Sequence, residues 1–265
     1  MENENKKAKG SALDDGQDGT NVPRMKAGSP EKCLVLMAGL LYLGLIVLGI
    51  FAQVTKMGLV VSGDSAATVQ NIIKSGGALD IVFISGMASH ICYLLLGLAC
   101  YGIFREIDKK VALLMLAFVL VGGVISIINA LNILDAMQIV NGQTVVSSAD
   151  ADLVLQHLTS HTDGEYIAQV FGWGPWLVPL GYLVYRSGYA PKPLGLVLML
   201  GGAGLTFQAL QYFLIPGMGD LSAPGVMISM IAEFTFCPWL IYRGIRGFAG
   251  AGNQMARDPG SSGAM

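Results

Sequence analysis

Glu233 makes the sharpest chemical demand in this 265-residue sequence, because it sets a carboxylate in the middle of the apolar stretch from Ser222 to Arg243. At the centre of a bilayer a carboxylate costs roughly 2.5–3.5 kcal/mol on insertion scales, so it is expected to face a bundle interior with a polar partner or a water-filled cavity. His90 occupies a second apolar stretch at an equivalent depth, on a helical stripe with Gly86, Tyr93, Gly97 and Tyr101. Equal depth makes Glu233 and His90 a candidate titratable pair, of the kind that holds a proton or a small polar solute. Ser229 precedes Glu233 by one helical turn and Cys237 follows it by one.

Amides accompany them. Asn129 and Asn132, with Ser126, fall near one face of a third apolar stretch, and Gln208 and Gln211, with Tyr212, fall in a fifth. Single amides in apolar helices hydrogen-bond to neighbouring helices, for about 0.6 kcal/mol on average. Here, however, Glu233, His90, Ser229, Asn129, Asn132, Gln208 and Gln211 all fall in the same half of their stretches, which predicts a polar cavity open to the outside. A weaker candidate is the stripe Asp150, His157 and His161: histidines four apart have metal-ligand spacing, but three such residues without a recognisable second shell are scant grounds for a metal site. No cofactor-binding motif is read. Neither HExxH nor GxSxG nor a phosphate-binding glycine loop occurs, so an intramembrane enzyme acting on lipid is the weakest functional reading.

The elements that must position these residues follow from composition. Hydrophobic residues make up 53% of the chain and charged residues 13%, with a mean hydropathy of +0.59, which is the balance of a membrane protein. Six stretches approach the length of about 20 residues that spans a hydrocarbon core: Cys33–Val54, Leu79–Phe104, Val111–Leu134, Tyr166–Tyr185, Leu194–Ile215 and Pro224–Tyr242. The predicted fold is an all-α membrane protein, a six-helix bundle over residues 33–243, between a disordered tail at 1–32 and a flexible tail at 244–265. The N-terminal tail has no apolar core ahead of the first span, so that span reads as an uncleaved anchor.

Of the 16 Lys and Arg, 14 fall in the tails and the second and fourth loops and 2 in the first, third and fifth loops. This asymmetry predicts a plasma-membrane protein with both termini cytoplasmic. It also leaves no separate basic patch for nucleic acid. The partners expected are therefore the bilayer and a small solute or proton, with homo-oligomerisation left open. Cys33, Cys92, Cys100 and Cys237 lie in or beside spans, so no disulfide is expected.

Local signals add detail. Ser62-Gly63-Asp64-Ser65 reads as a turn and N-cap, with Val69, Ile72 and Ile73 on one face of a short interfacial helix. Ser148 reads as the cap of a second short outer helix, in the third loop. Gly172-Trp173-Gly174-Pro175-Trp176, with Pro179 beyond, predicts a break in the fourth span. Pro238 sets a flexible point beside Glu233.

Several stretches, taken together, resemble a known family: Ala38-Gly39-Leu40-Leu41-Tyr42, Gly63-Asp64-Ser65-Ala66-Ala67-Thr68, Tyr185-Arg186-Ser187-Gly188-Tyr189 with Pro191 and Leu194-Gly195, and Glu233 with Trp239-Leu240. Their order and spacing resemble the six-span prokaryotic membrane proteins grouped as domain of unknown function 4386. His161 with Gly164 is similar to a recurrent His before that family's fourth span, whereas Gly174-Pro175 and Pro238 depart from the pattern. The resemblance implies a membrane protein and carries no activity with it. Binding or transport through the polar cavity is the leading reading; a structural or accessory protein, with the same residues as interhelical glue, is the alternative.

Overall fold

The computed structural model describes residues 29–246 except 142, 144, 219 and 220. The expected tails lie outside the described residues, apart from residues 29–32, which open the first helix, and 244–246, which close the last. Described residues form helices and turns, without strands. Six helical paths are long and apolar enough to cross a membrane.

The first span is α1 (Ser29–Leu59), and α2 (Ser65–Ser75) is the short helix that follows it. The Asp64 side chain accepts a hydrogen bond from the Ala67 amide at 2.8 Å, so the predicted cap is in place. On α2, Val69 and Ile72 are buried while Ile73 is exposed. The second span is α3 (Ala78–Phe104). The third runs through α4 (Lys109–Asn129) and, past a break at Ala130, α5 (Leu131–Val140). Asp108 caps α4 by accepting from the amides of Lys110 and Val111, both at 3.1 Å.

The fourth span is preceded by an unbroken approach. The third-loop helix α6 (Ser148–Ala168) is capped by Ser147, one residue before the expected Ser148, and passes through a π-helical turn, Gln169–Trp173, into α7 (Leu177–Ser187). The whole path has 40 residues. At 1.5 Å per residue its contour is about 60 Å, twice a hydrocarbon core of about 30 Å, and so longer than one span requires. The predicted break takes the form of the π-turn and the bend after it. Gly122 and Gly172 cross there: a Cβ on Gly172 would lie 2.3 Å from the Gly122 Cα, so only glycine lets α4 and the π-turn approach this closely. The last spans are α8 (Lys192–Leu214) and α9 (Ala223–Arg246).

Two apolar cores result. The larger joins the spans around Tyr42, Leu96, Phe104, Met115, Trp176, Leu180, Phe236 and Leu240. The smaller is a cap made where the end of α1 and the start of α3 meet α2, α5 and the first half of α6, around Leu59, Val69, Ile72, Ile133, Val154 and Leu158. At the opposite end, Phe104 packs edge-on to Tyr189 at 5.9 Å and Tyr189 to Trp239 at 4.7 Å. Arg186 and Arg243 lie over Tyr182 and Trp239 there, at 5.7 and 5.0 Å, as basic and aromatic anchors do at a membrane interface. All four cysteines are free thiols.

Candidate functional site in an interhelical cavity

Between the two cores, α1, α3, α6, the π-turn, α8 and α9 enclose a cavity of about 480 Å³. The α1 wall runs from Leu45 to Lys56, which is about 16 Å of helix rise. Antiparallel packing of α1 and α3 sets the facing wall, where the Ser89 hydroxyl donates to the Leu45 carbonyl at 3.0 Å. The cavity thus occupies the half of the bundle remote from the basic end.

Glu233 stands at the deep end. Its two carboxylate oxygens accept hydrogen bonds from the Tyr42 hydroxyl (3.1 Å) and the Ser229 hydroxyl (2.8 Å). Tyr42 is fully buried, with its ring 6.0 Å from Trp176 and 6.1 Å from Phe236, so the donor is fixed by packing. Tyr93 lines the cavity at 2% exposure, edge-on to Trp176, and its hydroxyl has no hydrogen-bond partner among the described residues. His90 lines the cavity too and stacks on Trp173 at 5.8 Å. The expected Glu233–His90 pair is not formed: the two share the cavity, but Glu233 is held by hydroxyls and His90 by an indole face.

The other end carries an ion pair that the sequence reading missed. Lys56, 4% exposed in the last turn of α1, hydrogen-bonds to the Glu165 carboxylate and lies 3.2 Å from the His161 Nδ1. Both Lys56 and Glu165 line the cavity. By charge distribution alone Lys56 is one of the two basic residues, with Lys74, outside the tails and the second and fourth loops. The available signal was a lysine closing an apolar helix, together with the spacing His161-x-x-x-Glu165. Gln169, in the π-turn, donates to the Leu205 carbonyl at 2.7 Å and to Gln208 Oε1 at 2.8 Å, and so ties the bent span to α8.

The remaining expected residues separate by role. Gln208 lines the cavity, and Ser229 acts through its bond to Glu233. Asn129 lies elsewhere, donating to the His161 carbonyl at 2.8 Å, and Asn132 donates to Asn129 Oδ1 at 3.0 Å, so these amides join the α4–α5 break to α6. Gln211 is buried in α8 outside the lining. The metal candidates do not converge. Asp150 bonds to Ser147, His157 lies 3.9 Å from Asp135, and His161 turns to Lys56; among the described residues no group of three His, Cys, Asp or Glu could hold an ion. Cys237 faces the Gly39 carbonyl at 3.7 Å, not the cavity.

Residues 37–244 match the family model for a domain of unknown function (DUF4386). The chain belongs to the DUF4386 family. No curated protein and no solved structure matches it. The stretches that carried the resemblance have physical roles in this DUF4386 fold. Tyr42 holds Glu233, and Asp64 and Thr68 fix the turn into α2, where the Val61 amide donates to the Thr68 hydroxyl at 2.9 Å. Ser187 accepts from the Tyr189 amide at 3.0 Å in the basic-end turn. Gly164 follows His161 because a Cβ there would lie 2.0 Å from Asn129 Oδ1.

Proposed function

We propose that this multi-pass DUF4386 membrane protein binds, and passes, a small solute or protons through a polar cavity that opens to the outside of the cell. The observation that carries this reading is the cavity of about 480 Å³, with carboxylates at both ends and with His90 and the Tyr93 hydroxyl free of hydrogen bonds to other described residues. Polar groups placed in an apolar bundle at a cost of kcal/mol each serve packing when they are satisfied by one another. These two are not, and a ligand or water would satisfy them. The outward orientation follows from the basic residues at the opposite end, which the positive-inside rule assigns to the cytoplasm of the plasma membrane together with both termini.

A structural or accessory role is the second reading. The Asn129, Asn132 and Gln169 bonds favour it, since each joins helices or a helix break without touching the free groups.

Labelling from outside separates the two. Ser89→Cys is placed on the cavity wall in a chain whose four native cysteines are replaced, and intact cells are treated with a membrane-impermeant thiol reagent. Modification in folded protein is the expected result. A thiol that reacts only after denaturation would mean a dry, packed interior and would transfer the assignment to the structural reading.

A further inference from the structure

We infer that the cavity's occupant is a monovalent organic ammonium ion, seated with its charged nitrogen at Glu233 and its apolar part against the surrounding side chains. The inference rests on the cavity reading above and names its ligand class. Charge is the first ground. Of the ionisable groups lining the cavity, the Lys56 ammonium is already engaged by Glu165, and the lining holds no other lysine or arginine. Glu233 is left with two hydroxyl donors. Hydroxyls orient a carboxylate but bring no positive charge to it; a buried carboxylate without one takes up either a proton or a cation, and a bound ammonium would supply the missing charge.

Shape and surface decide between kinds of cation. A metal ion needs several hard or ligating donors, and no such group exists among the described residues. The cavity that Glu233 lines also presents aromatic side chains, Trp173, Trp176, Tyr93 and Phe234. Ring faces attract an ammonium, and more strongly Trp than Phe, while doing little for a hydrated metal ion. The unpartnered Tyr93 hydroxyl supplies an acceptor for an N–H that Glu233 does not take. The lining also includes the alkyl side chains of Ile46, Ile50 and Met230, and a volume of about 480 Å³ exceeds what a lone ammonium fills. The occupant therefore carries an apolar substituent.

The probe is n-butylammonium, with n-butanol as the neutral isostere and sodium chloride at matched ionic strength as the salt control. Trp173 and Trp176 report on the site by fluorescence in the purified full chain carrying Trp239→Phe. Saturable titration by butylammonium, absent with butanol and with sodium chloride, is expected. Glu233→Gln should weaken it at least ~10-fold, and Tyr93→Phe by a smaller factor. Butanol titrating as well as butylammonium, or Glu233→Gln titrating like the parent, overturns the inference.

A second measurement avoids dependence on variants at Glu233. In the Ser89→Cys chain, butylammonium should slow thiol modification and butanol should not. Modification unaffected by butylammonium defeats the cation while leaving the cavity intact. Absence of modification in folded protein defeats the cavity reading itself.

Discussion

Removing the Lys56 ammonium tests the buried ion pair most directly. Side-chain exposure is 6% for Lys56 and 24% for Glu165, so neither charge can be solvated freely once its partner is lost. At an effective dielectric of about 20, unit charges about 4 Å apart attract by about 4 kcal/mol. Breaking a buried pair from one side costs about 3–5 kcal/mol because the other charge is stranded. Contact with the cavity gives Glu165 some access to water, which puts the expected loss for Lys56→Met or Glu165→Gln alone at about 2–4 kcal/mol. For a protein of this size that lowers Tm by roughly 5–15 °C.

The double variant removes both charges and should recover most of the loss, for a coupling energy of about 2–3 kcal/mol. The assay is thermal unfolding of detergent-purified protein for all four members of the cycle. Single-variant losses below about 0.5 kcal/mol, with additive effects, would put the pair in the class of screened surface bridges. Lys56 and Glu165 would then be solvated separately and not joined as a buried pair.

Other expectations concern packing and the Glu233 cradle. Gly172→Ala sets a methyl group 2.3 Å from the Gly122 Cα and should cost over about 2 kcal/mol in thermal unfolding. Gly58→Ala meets nothing within 4 Å and should be neutral or stabilising by up to about 1 kcal/mol. Equal effects would refute the crossing geometry. Gly164→Ala drives a methyl group into the Asn129 amide, so Asn129→Ala should restore a large part of the lost stability when the two are combined. A strictly additive double variant would show that the two side chains do not meet. Tyr42→Phe keeps the buried ring but removes a donor to Glu233, at an expected cost of about 1.5–3 kcal/mol. Ser229→Ala, at the second oxygen, should depart from additivity with Tyr42→Phe in a double-mutant cycle, because both act on one carboxylate.

Much of the architecture is legible in the sequence because a bilayer imposes one-dimensional rules. A span must be apolar for about 20 residues and keep its backbone bonded internally, so six spans can be counted without knowledge of any contact. Caps are local for the same reason: Asp64 and Asp108 need only the amides two or three residues ahead of them. The site is partly legible. Glu233 declares itself by being charged where the surroundings are apolar, and the depth of His90 and Gln208 follows from counting residues along a helix.

What depth cannot supply is rotation about the helix axis and the choice of neighbour, and there the tertiary structure decides. Asn129 and Gln208 have the same chemistry and the same half of the bundle, yet packing turns one to the His161 carbonyl and the other into the cavity. Lys56 looks in sequence like the end of a span, where an ammonium reaches water. The cap of α2, α5 and α6 folds over that end, covers it, and brings Glu165 to it from 109 residues away. Tyr42 meets Glu233 across 191 residues. Sequence by itself therefore fixes which residues are too polar for their surroundings, because that is a property of a segment and its solvent. Which of them satisfy one another, and which are left facing an open volume, is settled only by the packing of helices distant in the chain.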